Sequence, residues 1–269
     1  MFNIVKTIYN TDLINSQLTG TDYTILQGTT LNEKFGIIEN VIGDEKPTLK
    51  YFTIGMPYED MFSDNSVSLQ TVKHDPIDGA LFKHVPFLVK TLDSDISGSE
   101  REGYRLRVEI LKDGIVYVLY YMKIINVDVA ESMIVTINNN DGILIPEIYE
   151  TENVDKILEP IPIEHDTLYA PDDVNMVVAV KKIKLKLTGA ELNEIKEAML
   201  FMYPDEEQKI GEIGLCSGVD VDVNGYPESA YTQMNYFIKM DYPISEMNVN
   251  EVIIKSIDLG GLESLAIHV

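Results

Sequence analysis

Two dipeptides that favour tight turns, Asp113-Gly114 and Asn224-Gly225, each separate runs of alternating apolar and polar residues. Before the first turn, residues 104–110 alternate Tyr, Leu, Val and Ile with Arg and Glu. This period of two is typical of a strand with one buried face. Both dipeptides tolerate the positive φ angles that a two-residue hairpin turn needs. The chain is therefore predicted to contain antiparallel β-hairpins.

The rest of the chain extends this β pattern. Further strands are predicted at residues 50–55, 133–137 and 175–187, and then at roughly 210–216, 219–223, 230–242 and 249–258. A helix is predicted over 189–202, because Thr188 and Glu191 form a capping box before an apolar stripe at helical spacing. Residues 2–9 also show helical spacing. We predict a mainly β, β-sandwich-like, antiparallel fold with one or two short helices, with an α+β fold as the alternative.

The composition changes between residues 141 and 173, where ten acidic residues stand against the single Lys156 and four prolines occur. Such a segment is interpreted as an acidic linker or wrapping segment, and a solvated loop is an equal alternative. The predicted domains are an N-terminal β-rich domain at 1–140, this segment at 141–174, and a C-terminal β domain with the helix at 175–269.

The charge balance limits the partners. The chain has 44 acidic and 21 basic residues, which gives a net charge of -23. A field of this sign repels nucleic-acid phosphates and anionic lipid, so neither direct nucleic-acid binding nor membrane insertion is expected. The N-terminus does not resemble an export signal. Cys216 is the single cysteine, which excludes an intrachain disulfide and fits assembly in a reducing cytoplasm.

One stretch supports a calcium hypothesis. Asp220, Asp222, Asn224 and Gly225 match the opening of a calcium-binding loop. The twelfth position of that loop should be a bidentate glutamate, but it is Tyr231. The similar series that begins at Asp93 has Tyr104 in the same place. A β-hairpin is therefore the favoured interpretation of both stretches.

Other chemistry is weakly indicated. His74 and His84, with Asp75 and Asp78 between them, could in principle hold zinc or iron, but a proline follows each histidine within two residues and favours turns. The sequence contains no glycine-rich phosphate loop, no Gly-x-Ser-x-Gly and no His-Glu-x-x-His. We therefore predict no enzyme, no catalytic residue, no metal and no cofactor.

Two stretches are predicted to contact other proteins. A lysine-rich strand gives an otherwise acidic chain one basic face, which could meet an acidic face of another subunit such as the 141–173 segment. Edge lysines that prevent aggregation are the alternative. The long polar connection at 56–80 is typical of an interaction loop. The predicted interface residues are Lys181, Lys182, Lys184, Lys186, Tyr58, Asp64, Asp155 and Glu159.

Several short segments of the sequence are similar to segments found in one class of proteins. They are residues 47–55 (PTLKYFTIG), 74–79 (HDPIDG), 82–87 (FKHVPF), 101–107 (REGYRLR) and 118–123 (VLYYMK). Together they resemble uncharacterised virion structural proteins of large tailed bacteriophages. The stretch 211–215 (GEIGL), followed by a turn and a polar strand, resembles strand patterns of phage tail-collar and fibre-attachment modules.

The resemblance implies a structural subunit of a virion, in the tail, baseplate or neck, assembled in the host cytoplasm. Such a subunit acts through contacts with other virion proteins and with copies of itself. A carbohydrate- or receptor-binding β-sandwich module is one alternative, for which clustered exposed aromatic residues beside loops 93–100 or 219–228 would be the evidence. A hydrolase that uses paired carboxylates is the other, and it would need two of them in one concave pocket.

Overall fold

The structure is a computed structural model that describes residues 2–23, 25–37, 45–61, 67–70, 73–125, 131–140, 143–148, 176–244 and 251–258. The chain divides into two compact units. The first comprises Met1–Ile125 and Lys186–Ile253, and the second comprises Asn126–Leu185 and Ile254–Val269. The prediction of a mainly β, antiparallel fold with few helices is confirmed.

The strands, in chain order, are β1 (Phe2–Lys6), β2 (Thr48–Gly55), β3 (Tyr58–Met61), β4 (Val67–Gln70), β5 (His84–Val85), β6 (Leu88–Thr91), β7 (Tyr104–Lys112), β8 (Ile115–Ile124), β9 (Glu131–Asn140), β10 (Ile143–Ile148), β11 (Met176–Thr188), β12 (Ile210–Val223), β13 (Tyr226–Ile244) and β14 (Glu251–Asp258). The helices are α1 (Ile8–Thr19), α2 (Leu31–Lys34), α3 (Gly98–Arg101) and α4 (Gly189–Met202). A 3-10 turn covers Leu92–Ser94.

An eight-stranded sheet organises the first unit. Its strand order is β1-β13-β12-β2-β8-β6, and β5 pairs with β2 while β7 pairs with β8. Both predicted hairpins are present, with φ angles of 51° at Asp113 and 78° at Gly114, and of 57° at Asn224 and 83° at Gly225. The strands predicted at 210–216 and 219–223 are one strand, because register shifts in β12 locally disturb the alternation without ending the pairing.

The division into units differs from the sequential domains expected from the sequence. The N-terminal strands β1 and β2 pair with β13 and β12, so both ends of the first unit's chain share one sheet. Strands β9, β10, β11 and β14 form a separate four-stranded sheet in the order β10-β9-β11-β14. Pairing between strands that are far apart in the sequence produces no local pattern from which it could be predicted. A change in composition is visible locally, which is why the predicted boundaries follow the composition.

Two helix starts follow from side-chain caps. The helix predicted at 189–202 is confirmed as α4, where Thr188 and Glu191 form the capping box. Thr7 caps α1, since its side chain accepts a hydrogen bond from the amide of Asn10 at 3.2 Å. Residues 2–6 therefore form a strand and only the residues after Thr7 are helical, which corrects the helical interpretation of residues 2–9.

The helices pack on the sheet of the first unit. Helix α4 lies against β5 and β6, and α1 and α2 lie against β13. The face that α4 turns inward is fully buried and consists of Leu192, Ile195, Ala198 and Met199. Burial of such side chains contributes about 2 kcal/mol each, so this face accounts for the position of α4 on the sheet.

Candidate protein-binding surface

The connection at 56–80 contains a small hairpin. Strands β3 and β4 pair with each other, Tyr58 opposite Gln70 and Met61 opposite Val67, and form a sheet of two strands. Among the described residues, no further strand joins this sheet. A two-stranded hairpin is only marginally stable in water by itself, so its base needs support from the neighbouring chain.

Two exposed aromatic residues lie at that base, and we refer to them as the Tyr58–Phe82 pair. Their ring centroids are 5.6 Å apart and the rings meet edge to face at 80°. Tyr58 is 39% exposed and Phe82 is 42% exposed. The ammonium of Lys83 lies 5.6 Å from the Phe82 ring centre, within range of a cation–π contact. Paired exposed aromatic rings are a common feature of protein interfaces.

The carboxylate of Glu212 fixes the backbone beneath Phe82. Its Oε1 accepts a hydrogen bond from the Phe82 amide at 2.8 Å, and its Oε2 lies 2.6 Å from Nε2 of His74. Glu212 is buried on β12, and Gly55 beside it on β2 leaves room for its side chain, because a Cβ at that glycine would lie 2.7 Å from Oε1. We call this arrangement of Glu212, His74 and the Phe82 amide the Glu212 clasp.

His74 completes the clasp from the other side. Its ring stacks in parallel on Phe237 of β13, with centroids 3.9 Å apart and an interplanar angle of 4°. Its Nδ1 lies 3.4 Å from a carboxylate oxygen of Asp78, which also accepts the amide of Asp75 at 2.9 Å. The segment that carries Phe82 is thus attached to the sheet by the Glu212 carboxylate and by the stacking of His74 on Phe237, while Asp78 contacts His74 from within the segment.

A second buried histidine, His84, holds the end of the same segment. Its Nε2 accepts a hydrogen bond from the Leu81 amide at 3.0 Å, so Nδ1 carries the proton and donates it to the Thr53 hydroxyl, also at 3.0 Å. Burial, helped by the positive charge of Lys34, lowers the pKa of His84 to about 3. His84 is therefore neutral in the folded protein at neutral pH.

This lowered pKa predicts a pH dependence. Between about pH 6.5 and about pH 3 the unfolded chain protonates His84 and the folded chain does not, so the free energy of unfolding must fall as the pH falls. One such group contributes a slope of up to about 1.4 kcal/mol per pH unit. Urea unfolding at several pH values from about 7 to about 4.5 measures this slope.

His84→Gln is the variant that isolates the contribution of His84. Glutamine keeps an acceptor for the Leu81 amide but cannot be protonated, so a shallower slope than in the unsubstituted protein is expected. All other titrating groups are common to both chains, and the difference between the two slopes therefore reports on His84 alone. Equal slopes would show that His84 is already protonated when folded.

A protein family matches nearly the whole sequence. Residues 2–268 fit the family described as "Family of unknown function (DUF7208)". The chain belongs to this family. No curated protein matches the chain, and no solved structure matches it. Of the helices in the described ranges, none has the length and apolar character needed to cross a membrane.

The predicted interface residues fall into three groups. Tyr58 is exposed and forms the aromatic pair with Phe82. Lys181, Lys182, Lys184 and Lys186 all lie on β11, where Lys182 is opposite Glu131 and Lys186 is exposed. Asp64, Asp155 and Glu159 lie outside the described residues. Phe82 is not among the predicted interface residues, because it lies in an apolar run of the sequence that is typical of a buried strand.

The aspartates of the calcium hypothesis have protein partners instead. Asp220 accepts two hydrogen bonds from Arg105, at 2.8 and 3.2 Å, and one from the Tyr51 hydroxyl. Asp222 accepts the Gly225 amide at 2.8 Å and so belongs to the hairpin turn. In the earlier series, Asp95 accepts hydrogen bonds from the side chains of Arg107 and Tyr120. These contacts favour structural roles for the aspartates of both stretches. The predicted hairpin is present at Asn224-Gly225, but the hairpin predicted at 93–99 is wrong, because β6 and β7 each pair with β8 and are connected by the 3-10 turn and α3.

The histidines of the metal hypothesis and the single cysteine also contact other protein groups. Both ring nitrogens of His74 and of His84 contact protein groups, which disfavours the zinc or iron hypothesis. Within the described part of the chain, no group of three or more His, Cys, Asp or Glu residues is arranged to hold a metal ion. Cys216 is buried with its sulfur 3.7 Å from that of Met234, and burial raises the pKa of its thiol, so thiolate chemistry is disfavoured there.

A cavity of about 350 Å³ lies in the first unit, beside α1 and β13. Its walls include Tyr23 and Tyr231, whose rings stack with centroids 6.0 Å apart, and Asp22, Glu45 and Lys46 also line it.

The glycan alternative required clustered exposed aromatic residues beside loops 93–100 or 219–228. In the second of these loops, Tyr226 is 38% exposed, and the Arg101 guanidinium lies 4.1 Å from the centre of its ring. Tyr226 is therefore the residue of that loop to consider for the glycan alternative.

Proposed function

We propose that this chain is a structural subunit of a bacteriophage virion, in the tail, baseplate or neck, that acts through protein–protein contacts. The observation that carries the protein-binding role is the Tyr58–Phe82 pair, which is exposed although the backbone beneath it is fixed by the buried Glu212 clasp. The virion assignment is supported by the resemblance of residues 47–55, 74–79, 82–87, 101–107 and 118–123 to phage structural proteins.

The physical argument concerns the cost of binding. An aromatic ring on a fixed backbone loses little conformational freedom when a partner covers it, so more of the burial energy remains as affinity. Aromatic residues on a rigid support are accordingly the usual anchors of protein interfaces. The net charge of -23 adds a preference for basic faces of partner proteins.

The basic strand β11 is proposed as a second contact. Lys181, Lys182, Lys184 and Lys186 lie within six residues of a chain whose overall charge is strongly negative. An acidic face of a neighbouring subunit is the matching partner, and the 141–173 segment of another copy, which contains Asp155 and Glu159, has the required charge. This contact is electrostatic, so salt is expected to weaken it.

Incorporation into particles tests the proposal. Tyr58→Ala and Phe82→Ala are introduced together into the gene in its phage genome, and the chain is quantified by mass spectrometry in density-purified particles. We expect the unsubstituted chain at a fixed ratio to the major particle proteins and at least about a tenfold loss of the double variant, since aromatic anchors dominate interface affinity. Both rings are exposed, so the variant should fold normally by circular dichroism.

Tyr226→Ala is the matched control. Tyr226 is as exposed as Tyr58 but lies on the β12–β13 hairpin, away from the clasp, so its loss should leave incorporation unchanged. Absence of the unsubstituted chain from particles would refute the virion role. Incorporation of the double variant at the full ratio would refute the role of the Tyr58–Phe82 pair and leave the virion role standing.

A further inference from the structure

The cavity of about 350 Å³ in the first unit is formed by parts of the chain that are distant in sequence. The C-terminal half of α1, residues 21–23 and 25, residues 45–47 and Tyr231 of β13 line it. Its buried lining residues are Leu13, Ser16, Pro47 and Tyr231, and its exposed ones are Gln17, Thr21, Asp22, Glu45 and Lys46. A cavity of this size is at the lower end of those that bind small organic molecules.

Hydrogen bonds between these parts of the chain fix the walls of the cavity. The hydroxyl of Ser16 on α1 donates to the carbonyl of Asp22 at 3.1 Å, and the side-chain amide of Gln17 donates to the carbonyl of Pro47 at 3.0 Å. Helix α1 ends at Gly20, whose φ of 68° turns the chain into the residues that follow. Because the walls are already held in place, a ligand does not have to order them, and more of its contact energy remains as affinity.

The inner part of the cavity is apolar and aromatic. The rings of Tyr23 and Tyr231 stack with an interplanar angle of 30°, and Leu13, Ile25 and Pro47 add aliphatic surface. Aliphatic surface suits a hydrocarbon chain, and the face of a tyrosine ring attracts positive charge. The inner part therefore suits an apolar group that carries a cation.

The charges around the cavity are mainly negative. Asp22 and Glu45 line it, against Lys46 alone on the positive side. Burial, and after it the negative charge of Asp12, raises the pKa of the Tyr23 hydroxyl, which shows that Asp12 adds to the negative field. The cavity also lies at the C-terminal end of α1, where the helix dipole is negative and the last turn contains no basic residue. A field of this sign attracts cations and repels anions.

We propose that this cavity binds an organic cation, an ammonium or guanidinium group carried on a short apolar stem. The charged group lies near the carboxylates of Asp22 and Glu45, and the stem lies against the apolar inner wall beside Tyr23. A free amine and the lysine or arginine side chain of another protein share this chemistry. Neither Tyr58 nor Phe82 lines the cavity, so the inference is independent of the proposed function.

Ligand-observed NMR titrations of the full chain at pH 7 and low ionic strength test the proposal with two matched pairs of probes. Phenethylamine and 2-phenylethanol differ in carrying an ammonium or a hydroxyl group. N-acetyl-lysinamide and N-acetyl-norleucinamide provide a similar contrast in the form of a protein side chain. We expect at least one of the two cations to bind with a Kd below about 1 mM, and its neutral counterpart to bind at least about fivefold more weakly. Binding of the capped lysine would identify a partner's side chain as a source, and binding of phenethylamine alone would identify a free amine.

Three charge variants locate the binding in the cavity. Asp22→Asn combined with Glu45→Gln should raise the Kd of the cation about tenfold at low salt, whereas Lys46→Gln should lower it a few-fold. All three residues are exposed, so these variants should fold normally by circular dichroism. Glu197→Gln is the matched control, because it removes a negative charge from an exposed position on α4 that does not line the cavity, and it should leave the Kd unchanged. NaCl at about 0.5 M should weaken the binding.

Three results would overturn the proposal. One is that neither cation binds up to about 10 mM. Another is that the neutral probe of a pair binds as tightly as its cation, which would make the cavity a site for uncharged ligands. The last is that a folded double variant of Asp22 and Glu45 binds the cation as tightly as the unsubstituted chain, which would place the binding elsewhere on the acidic surface.

Discussion

Replacing Glu212 with alanine is expected to lower the free energy of unfolding of the first unit by about 3 kcal/mol. The substitution leaves the amide of Phe82 without its acceptor and the buried imidazole of His74 without its 2.6 Å partner. A buried donor that loses its partner costs the desolvation energy of that group. Urea unfolding at neutral pH measures the change.

Two control variants separate the clasp from general packing. Glu212→Gln keeps an amide oxygen for the Phe82 N–H and is expected to cost about half as much. Asp78→Ala removes the longer, 3.4 Å contact with His74, and the Asp78 side chain is 42% exposed, so its effect should stay below about 1 kcal/mol. Hydrogen exchange of residues 74–84 should accelerate in Glu212→Ala before that of β7 and β8. If Glu212→Ala is as stable as the unsubstituted chain, the clasp does not hold this segment.

Local signals explain what could be predicted. The Asp-Gly and Asn-Gly turns need only the φ preferences of their own residues, and the structure has both. The capping box of Thr188 and Glu191 is formed within four residues, and α4 starts where it predicts. Features set by neighbours in the sequence are thus readable without the fold.

The clasp could not be predicted, because its members are distant in sequence. His74 and Glu212 are separated by 138 positions, and their approach depends on β2, β12 and β13 lying side by side. Nothing near Glu212 distinguishes it from the other acidic residues of the chain. The same reason applies to Phe82, whose amide donates to Glu212, 130 positions further along the chain.

The position of β1 shows how two local signals can conflict. Apolar residues at 2, 5, 8 and 9 fit a helix, but pairing with β13, more than 200 residues away, takes residues 2–6 into the sheet. Thr7 then ends the strand and caps α1. Long-range pairing outweighed a short periodic pattern because five residues are too few to stabilise a helix turn by themselves.

Replacing Arg105 with methionine is expected to cost about 3 kcal/mol of unfolding free energy. The Arg105 side chain is 4% exposed, and its guanidinium donates to both oxygens of Asp220 and to the carbonyls of Glu102 and Tyr104. Methionine fills much of the volume but leaves these acceptors without a donor. The Asp220 side chain is 27% exposed, so water compensates part of the loss, and the expected cost lies at the lower end of that for a broken buried pair.

Lys50→Met is the matched control, because Lys50 contacts the same carboxylate at 3.3 Å from a more exposed position. Its effect should lie below about 1 kcal/mol. Burial alone would raise the pKa of Asp220, but the hydrogen bonds from Arg105 and Tyr51 outweigh it and lower the pKa. The stability that Asp220 contributes is therefore complete above about pH 4 and is lost as the pH falls further, so the Arg105→Met deficit should shrink in acid. Equal losses in Arg105→Met and Lys50→Met would show that Asp220 behaves as an ordinary surface carboxylate.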